Sequence, residues 1–290
     1  MWTFVWLASV IFNTHDGLEP TDRLVPPGWQ GNPWGPEATE ARRTGEIPPI
    51  PMTPGMKQWD KWGRQVLRDG DILFRRGDAR LLRGYFPFSR FIANVSGSQF
   101  SHTAIVSIEE DGPVVYDTTK AGVRRQPFSV WILDNSGPFG VKRVKPEYAD
   151  YAIKAVAFCH DVFARQVPFD YELNSDDREY YCVEMTDKAY RNNGLPLAEP
   201  LRLGDMENIT RYPICVLVFL KISNLKLEQP VYFPGNERHG IWSSPSLTTI
   251  YAPPVPAPAP KRVAGSSAGS SRGQDATTPA NVTASTTRPR

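Results

Sequence analysis

Proline decides how much of this chain can fold. The sequence has 290 residues and 28 prolines, and they are spread unevenly. Nine of them fall between Gly17 and Gly55. Each fixes φ and removes a backbone donor, which disfavours helix interiors and central strands, so residues 17–55 read as an extended, Pro-rich linker. Residues 252–290 are dominated by Pro, Ala, Ser, Thr and Gly and contain no aromatic residue. Such a stretch cannot bury enough apolar surface to offset the entropy of ordering, and a disordered tail is expected. The sequon Asn281-Val282-Thr283 lies within it. What is left for a packed core is residues 56–235, a single domain's worth, with residues 236–251 as an irregular extension.

Residues 1–16 begin with a run from Trp2 to Phe12 that is apolar apart from Thr3 and Ser9. It is shorter than the ~20 residues a membrane-spanning helix needs. It is similar to the apolar core of a secretory signal, without a basic flank or a clear Ala-x-Ala site. The expectation is a signal or membrane-tethering segment on an exported or membrane-associated protein, which would reach a membrane or cell wall through this segment. The competing reading is a buried strand or interfacial segment on a cytoplasmic protein.

The formal net charge is +2. Lys261, Arg262, Arg272, Arg288 and Arg290 against Asp275 make the tail basic and leave the rest of the chain near neutral. That gives no electrostatic case for nucleic-acid binding. Three cysteines, Cys159, Cys182 and Cys215, form no disulfide framework and no zinc-ligand spacing. No cofactor and no metal are expected.

Within the foldable part, residues 56–67 carry Trp59, Trp62, Val66 and Leu67 at helical spacing. Residues 71–75 read as a short strand, and residues 81–94 as a helix broken near Pro87. Residues 101–108 and 114–118 read as a strand pair, and residues 139–144 as another strand. Residues 146–164 read as a helix with Tyr148, Ala152, Ala155, Cys159 and Val162 on one stripe. Residues 182–192 form a helix closed by Gly194, and the apolar run 214–222 reads as a strand. Strands and helices mix without regular β-α alternation. That predicts an α+β fold with a mostly antiparallel sheet packed against helices.

Chemistry concentrates at two places. Cys182 falls at the start of its helix, where unpaired N–H groups and the helix dipole favour a thiolate. The competing reading is a small buried hydrophobe. His102 lies on the strand face His102, Ala104, Val106, Ile108, which is otherwise apolar. A four-residue loop from Glu109 to Gly112 puts Ile108 opposite Pro113 and makes His102 and Asp117 diagonal neighbours on one face. There a carboxylate can orient an imidazole. A strict Asp111-Gly112 hairpin would carry Asp117 further along, and a one-residue slip would turn it to the other face. Cys159, His160 and Cys215 read as structural, and the Asp176-Asp177 pair as a solvated helix lead-in.

The order of motifs resembles a known family. Gly70-Asp71-Ile72-Leu73-Phe74 is followed by Ser101-His102-Thr103-Ala104-Ile105-Val106 and then by Val115-Tyr116-Asp117. After these come Val167-Pro168-Phe169-Asp170-Tyr171 and Tyr181-Cys182-Val183-Glu184-Met185. With histidine before cysteine, the chain resembles the permuted papain-like cysteine amidases and peptidases of the YiiX-like type, relatives of the NlpC-type endopeptidases. The resemblance spans residues 69–219 and implies a circularly permuted papain-like fold. It implies Cys182 as nucleophile, His102 as base and an acidic third member. That member is usually glutamate in the family; here Asp117 stands there. Tyr181, Ser101 and Asp71 are expected to line the substrate pocket. The family's cysteine is commonly followed by serine, and here Val183 follows. The Asn-Cys-Glu-His run of lecithin retinol acyltransferase is missing. The expectation is therefore a monomeric hydrolase that cleaves an amide, ester or thioester of a small peptide or lipid-linked amide through an acyl-enzyme. The alternatives are a non-catalytic binding module on a wall or membrane, and a lipid acyltransferase.

Overall fold

A computed structural model describes residues 20–81, 85–174 and 176–253, with the side chain of Ile222 left aside. The apolar N-terminal segment 1–16 and the tail from residue 254 onward lie outside the described residues. Among those described, no helix is long and apolar enough to cross a membrane.

Strand β1 (Ile72–Arg75) is buried at every position, which requires cover on both sides. It pairs antiparallel with β2 (His102–Glu109) and β5 (Phe139–Val144). Outward from β2 come β3 (Gly112–Thr119) and β4 (Gly122–Pro127), and outward from β5 comes β8 (Leu247–Tyr251). The resulting six-stranded order is β4-β3-β2-β1-β5-β8. A separate short ribbon joins β6 (Leu201–Arg202) and β7 (Pro230–Val231).

Side-chain alternation splits the sheet into two faces. Ile72, Phe74, Ile105, Tyr116 and Val123 point to one face. They pack there on Ala155, Cys159 and Val162 of α5 (Ala149–Ala164) and on Val183, Met185 and Ala189 of α6 (Cys182–Arg191). Leu73, Ala104, Val106 and Val115 point to the other face. There they meet Phe128 and Trp131 of α4 (Phe128–Trp131), with Trp59 and Trp62 of α2 (Pro54–Val66) against them. A third apolar cluster lies around α3 (Phe88–Val95) and α7 (Pro213–Ser223). In it Phe219 packs at 5.6 Å from Phe88 and 5.4 Å from Phe91, ring centre to ring centre. The fold is α+β, with a mostly antiparallel sheet between helices, as the sequence suggested.

Three local readings are corrected. The apolar run 214–222 is helix α7, not a strand. An apolar run without periodicity is ambiguous between a strand and a buried helix, and Pro213 at its first turn with Asn224 as a left-handed cap at φ 54° bounds a helix. Residues 236–251 are not irregular throughout, because their end is strand β8 of the main sheet. The Pro-rich stretch contains α1 (Pro36–Thr44), which starts at a proline in its first turn, the one place where the missing N–H costs nothing. Trp34, Ala38, Ala41 and Ile47 of that stretch are buried. Neither β4 nor α4 was anticipated. Arg124, Arg125 and Gln126 mask the alternation of β4.

Candidate active site

The β2–β3 register places the site. Ile108 is opposite Pro113 and Glu109 is opposite Gly112, so the hairpin tip is Glu110-Asp111. The same register carries His102 and Asp117 to one face as diagonal neighbours. Across the next ladder Asp117 is opposite Arg124, and on the other side Arg75 of β1 is opposite His102. Four polar side chains thus form a row across β1, β2, β3 and β4 beside the apolar Leu73, Ala104, Val106 and Val115 of the same face.

Asp117 is fully buried and surrounded by donors. Its Oδ2 is 2.7 Å from His102 Nε2 and accepts from Arg124 Nη2 at 2.7 Å and Trp131 Nε1 at 2.8 Å. Its Oδ1 accepts from Arg124 Nε at 2.8 Å. Burial by itself would raise the Asp117 carboxyl, but the Arg124 guanidinium and His102 overcome it and hold the group well below the usual carboxylate range.

Cys182 is the first residue of α6, and Tyr181 before it is extended, at φ −96° and ψ 165°. The first-turn N–H groups of a helix lack intrahelical partners, so they face outward beside the sulfur. The turn is anchored from the sheet. The Cys182 carbonyl accepts from Thr186 Oγ1 at 3.0 Å and Thr103 Oγ1 at 3.2 Å, and the two threonine hydroxyls are 2.9 Å apart. Thr103 points from β2 to the helix face, while His102, its neighbour, points to the opposite face at the strand's first position. This brings imidazole and thiol to one groove at the sheet's end. Burial works against a charged His102 ring. The Cys182 sulfur and the Asp117 carboxylate outweigh it and push the ring up to about 9. With Nε2 turned to Asp117, Nδ1 is the nitrogen left for Cys182.

His102 and Cys182 open into a groove of about 870 Å³, counting its solvent-open mouth. Its walls are mainly apolar, from Leu81, Phe88, Phe169, Leu173 and Phe219, and Ser101 lies beside the histidine. The other two residues expected in the pocket are placed elsewhere. Tyr181 is buried with its hydroxyl accepting from Tyr232 N at 2.6 Å. Asp71 is buried at the far end of β1, clamped by Arg143 at 2.6 and 2.7 Å and by Arg68 N at 2.9 Å. Side-chain direction explains both. Tyr181 serves the core under α6, and Asp71 ties β1 to β5.

The remaining cysteines are free as well. Cys159 is buried in the core stripe of α5, where burial pushes its thiol up. Cys215 is half-buried on α7. Sequence reasoning missed Arg75, Arg124, Trp131 and Asp134 around the acid. The available signal was arginine at inward positions of apolar strands, since a charge there demands a buried partner.

The chain is similar to known proteins. A family model described as "Permuted papain-like amidase enzyme, YaeF/YiiX, C92 family" matches residues 66–251. The uncharacterized protein YiiX of Escherichia coli (strain K12) is 24% identical over 188 residues, which is 62% of this chain and 84% of that protein. A crystal structure described as the metalloprotein YiiX of Escherichia coli O157:H7 superposes with a TM-score of 0.54 at 24% identity. It covers 64% of this chain and 98% of its own. Among the described residues of this chain, no group of three or more His, Cys, Asp or Glu side chains is arranged to hold a metal ion.

Proposed function

The chain belongs to the permuted papain-like amidases of the YaeF/YiiX, C92 family, and on that premise we propose that it hydrolyses lipid-linked amides through Cys182, His102 and Asp117. The observation that carries the mechanism is His102 held by Asp117 at 2.7 Å and lining one groove with the Cys182 thiol. In the reacting pair the Cys182 proton sits on His102, whose ring is raised to about 9. The thiolate attacks the amide carbonyl carbon, and the oxyanion is met by N–H groups at the α6 N-terminus. The C–N bond breaks as His102 gives its proton to the leaving amine. A water molecule then loses a proton to His102, attacks the thioester, and releases a carboxylic acid with the thiolate restored. Asp117 keeps Nε2 engaged and the ring aimed.

The apolar groove walls favour an acyl chain over a polar peptide as the part of the substrate nearest the sulfur. Two further features support an apolar substrate: α7, which supplies Phe219 to the groove, leaves Ile214 75% and Leu217 66% exposed on its outer side. The test is acyl-enzyme trapping with matched fatty-acyl and peptidyl donors, mapped by mass spectrometry. The expected adduct is on Cys182, faster with the fatty-acyl donor, and lost in Cys182→Ala while the fold persists. Labelling spread equally over Cys159, Cys182 and Cys215 would sink the nucleophile. A faster peptidyl adduct would overturn the substrate class alone. Product accumulating on an added amine instead of water would make the activity acyl transfer.

A further inference from the structure

The catalytic carboxylate is held partly by a segment that precedes the family match. That match begins at residue 66. Residues 20–23 form a single 3-10 turn, and Thr21 and Asp22 in it are 1% and 3% exposed. Asp22 Oδ1 accepts from Arg124 Nη1 at 2.8 Å, while the other edge of the same guanidinium holds Asp117. Thr21 fastens the segment. Its N–H and hydroxyl donate to Asp134 at 2.9 and 2.6 Å, and its hydroxyl accepts from Gln126 at 2.8 Å. Trp34 Nε1 donates to the Thr21 carbonyl at 3.0 Å. Arg75 completes the cluster, 3.7 Å from Asp117 and 3.5 Å from Asp134, with its guanidinium 4.2 Å from the Trp131 ring centre.

Asp22, Asp117, Asp134, Arg75 and Arg124 meet in this dry interior. All five side chains are at most 3% exposed. Buried charges are costly unless they are paired, so removing one partner disturbs the others. His102 meets this cluster through Asp117 and shares its groove with Cys182.

We propose that Asp22 is a positioning residue for the amide hydrolysis: its carboxylate braces Arg124, and Arg124 in turn holds Asp117 against His102. This rests on the Cys182–His102 reading of the site. The charged and titratable groups facing His102 are Asp117 from β3, Arg75 from β1 through Asp117, and Cys182 from α6. Lys120 and Tyr171 share its groove. Asp22 acts on the ring through Arg124 and touches no substrate.

The test uses the full chain with isotopically labelled histidine. Four histidines make the His102 signal assignable by comparison with His102→Ala. Asp22→Asn keeps an oxygen for Arg124 and removes only charge. The His102 titration is then expected to move at least one pH unit lower. On a fatty-acyl p-nitroanilide, kcat near pH 8 should fall about tenfold with KM within twofold. Asp22→Glu should return the titration towards wild type. Asp22→Ser, which leaves room for a water, gives the same reading should the Asn variant fold poorly. A neutral variant that loses stability yet keeps the wild-type titration and kcat profile would reduce Asp22 to a structural role and overturn the proposal. A wild-type His102 that titrates near 6.5 and does not respond to Cys182→Ala would instead overturn the catalytic pair itself.

Discussion

Asp117 does two jobs that one mutation cannot separate by activity alone. It orients His102, and it neutralises Arg124 and, at longer range, Arg75. Asp117→Asn keeps the shape but leaves a buried guanidinium undercompensated, which costs about 3–5 kcal/mol. Urea denaturation should show that loss, and turnover should fall less than in His102→Ala, where the proton carrier itself is gone. The acid dependence has a definite sign. A carboxyl held below its unfolded value contributes stability above about pH 4 and loses it as pH falls through the folded value. Wild type should therefore soften in acid, and Asp117→Asn should lack that part of the dependence. At this scale the sequence allowed His102 and Asp117 to share a strand face, and the observed β2–β3 register is the one of its alternatives that does so. The sequence was not legible for Tyr181 or Asp71, since proximity in a motif says nothing about which face of an element a side chain serves.

The strands and helices around the site are set by a few backbone positions. Gly70, just before β1, has φ +75°, donates to the Val106 carbonyl at 2.9 Å and accepts from the Tyr190 hydroxyl through its own carbonyl. A Cβ there would meet the Ala152 Cβ at 2.5 Å and the Tyr190 hydroxyl at 2.9 Å. Gly70→Ala combines a left-handed backbone with overpacking between β1, α5 and α6, and about 3 kcal/mol of stability should be lost in denaturant titrations. A loss under about 0.5 kcal/mol would mean the three elements adjust freely, contrary to a packed interior. Element identity was readable where the period is clean, as in β2 and α5. It failed for α7, whose apolar residues occur on all sides, and for β4, whose inward arginines look polar until their partners are known.

For the molecule as a whole, the Pro-rich stretch is part of the fold. Trp34 is 1% exposed, packs with Met56 and Val130, and carries the Arg42 guanidinium 3.7 Å above its ring. Trp34→Ala should cost about 3–5 kcal/mol of global stability and, through Thr21, loosen the bracing of Arg124. A mere tether would show no change in the unfolding midpoint. Proline density marked residues 17–55 as unfit for long helices and central strands, and that is physically sound. It could not reveal that short turns and one capped helix would still bury a tryptophan and deliver Asp22 to the site.

Local physics written in the residues settled the helix-start thiol, the histidine on an apolar strand face and the mixed antiparallel architecture, and it left the register that places Asp117 beside that histidine open. Those depend on periodicity and turn length, which act over a few residues. Long-range packing alone decided that three aspartates and two arginines from separate elements would share one dry interior with the imidazole. Charge compensation in a low dielectric acts through space, and spacing along the chain carries no record of it.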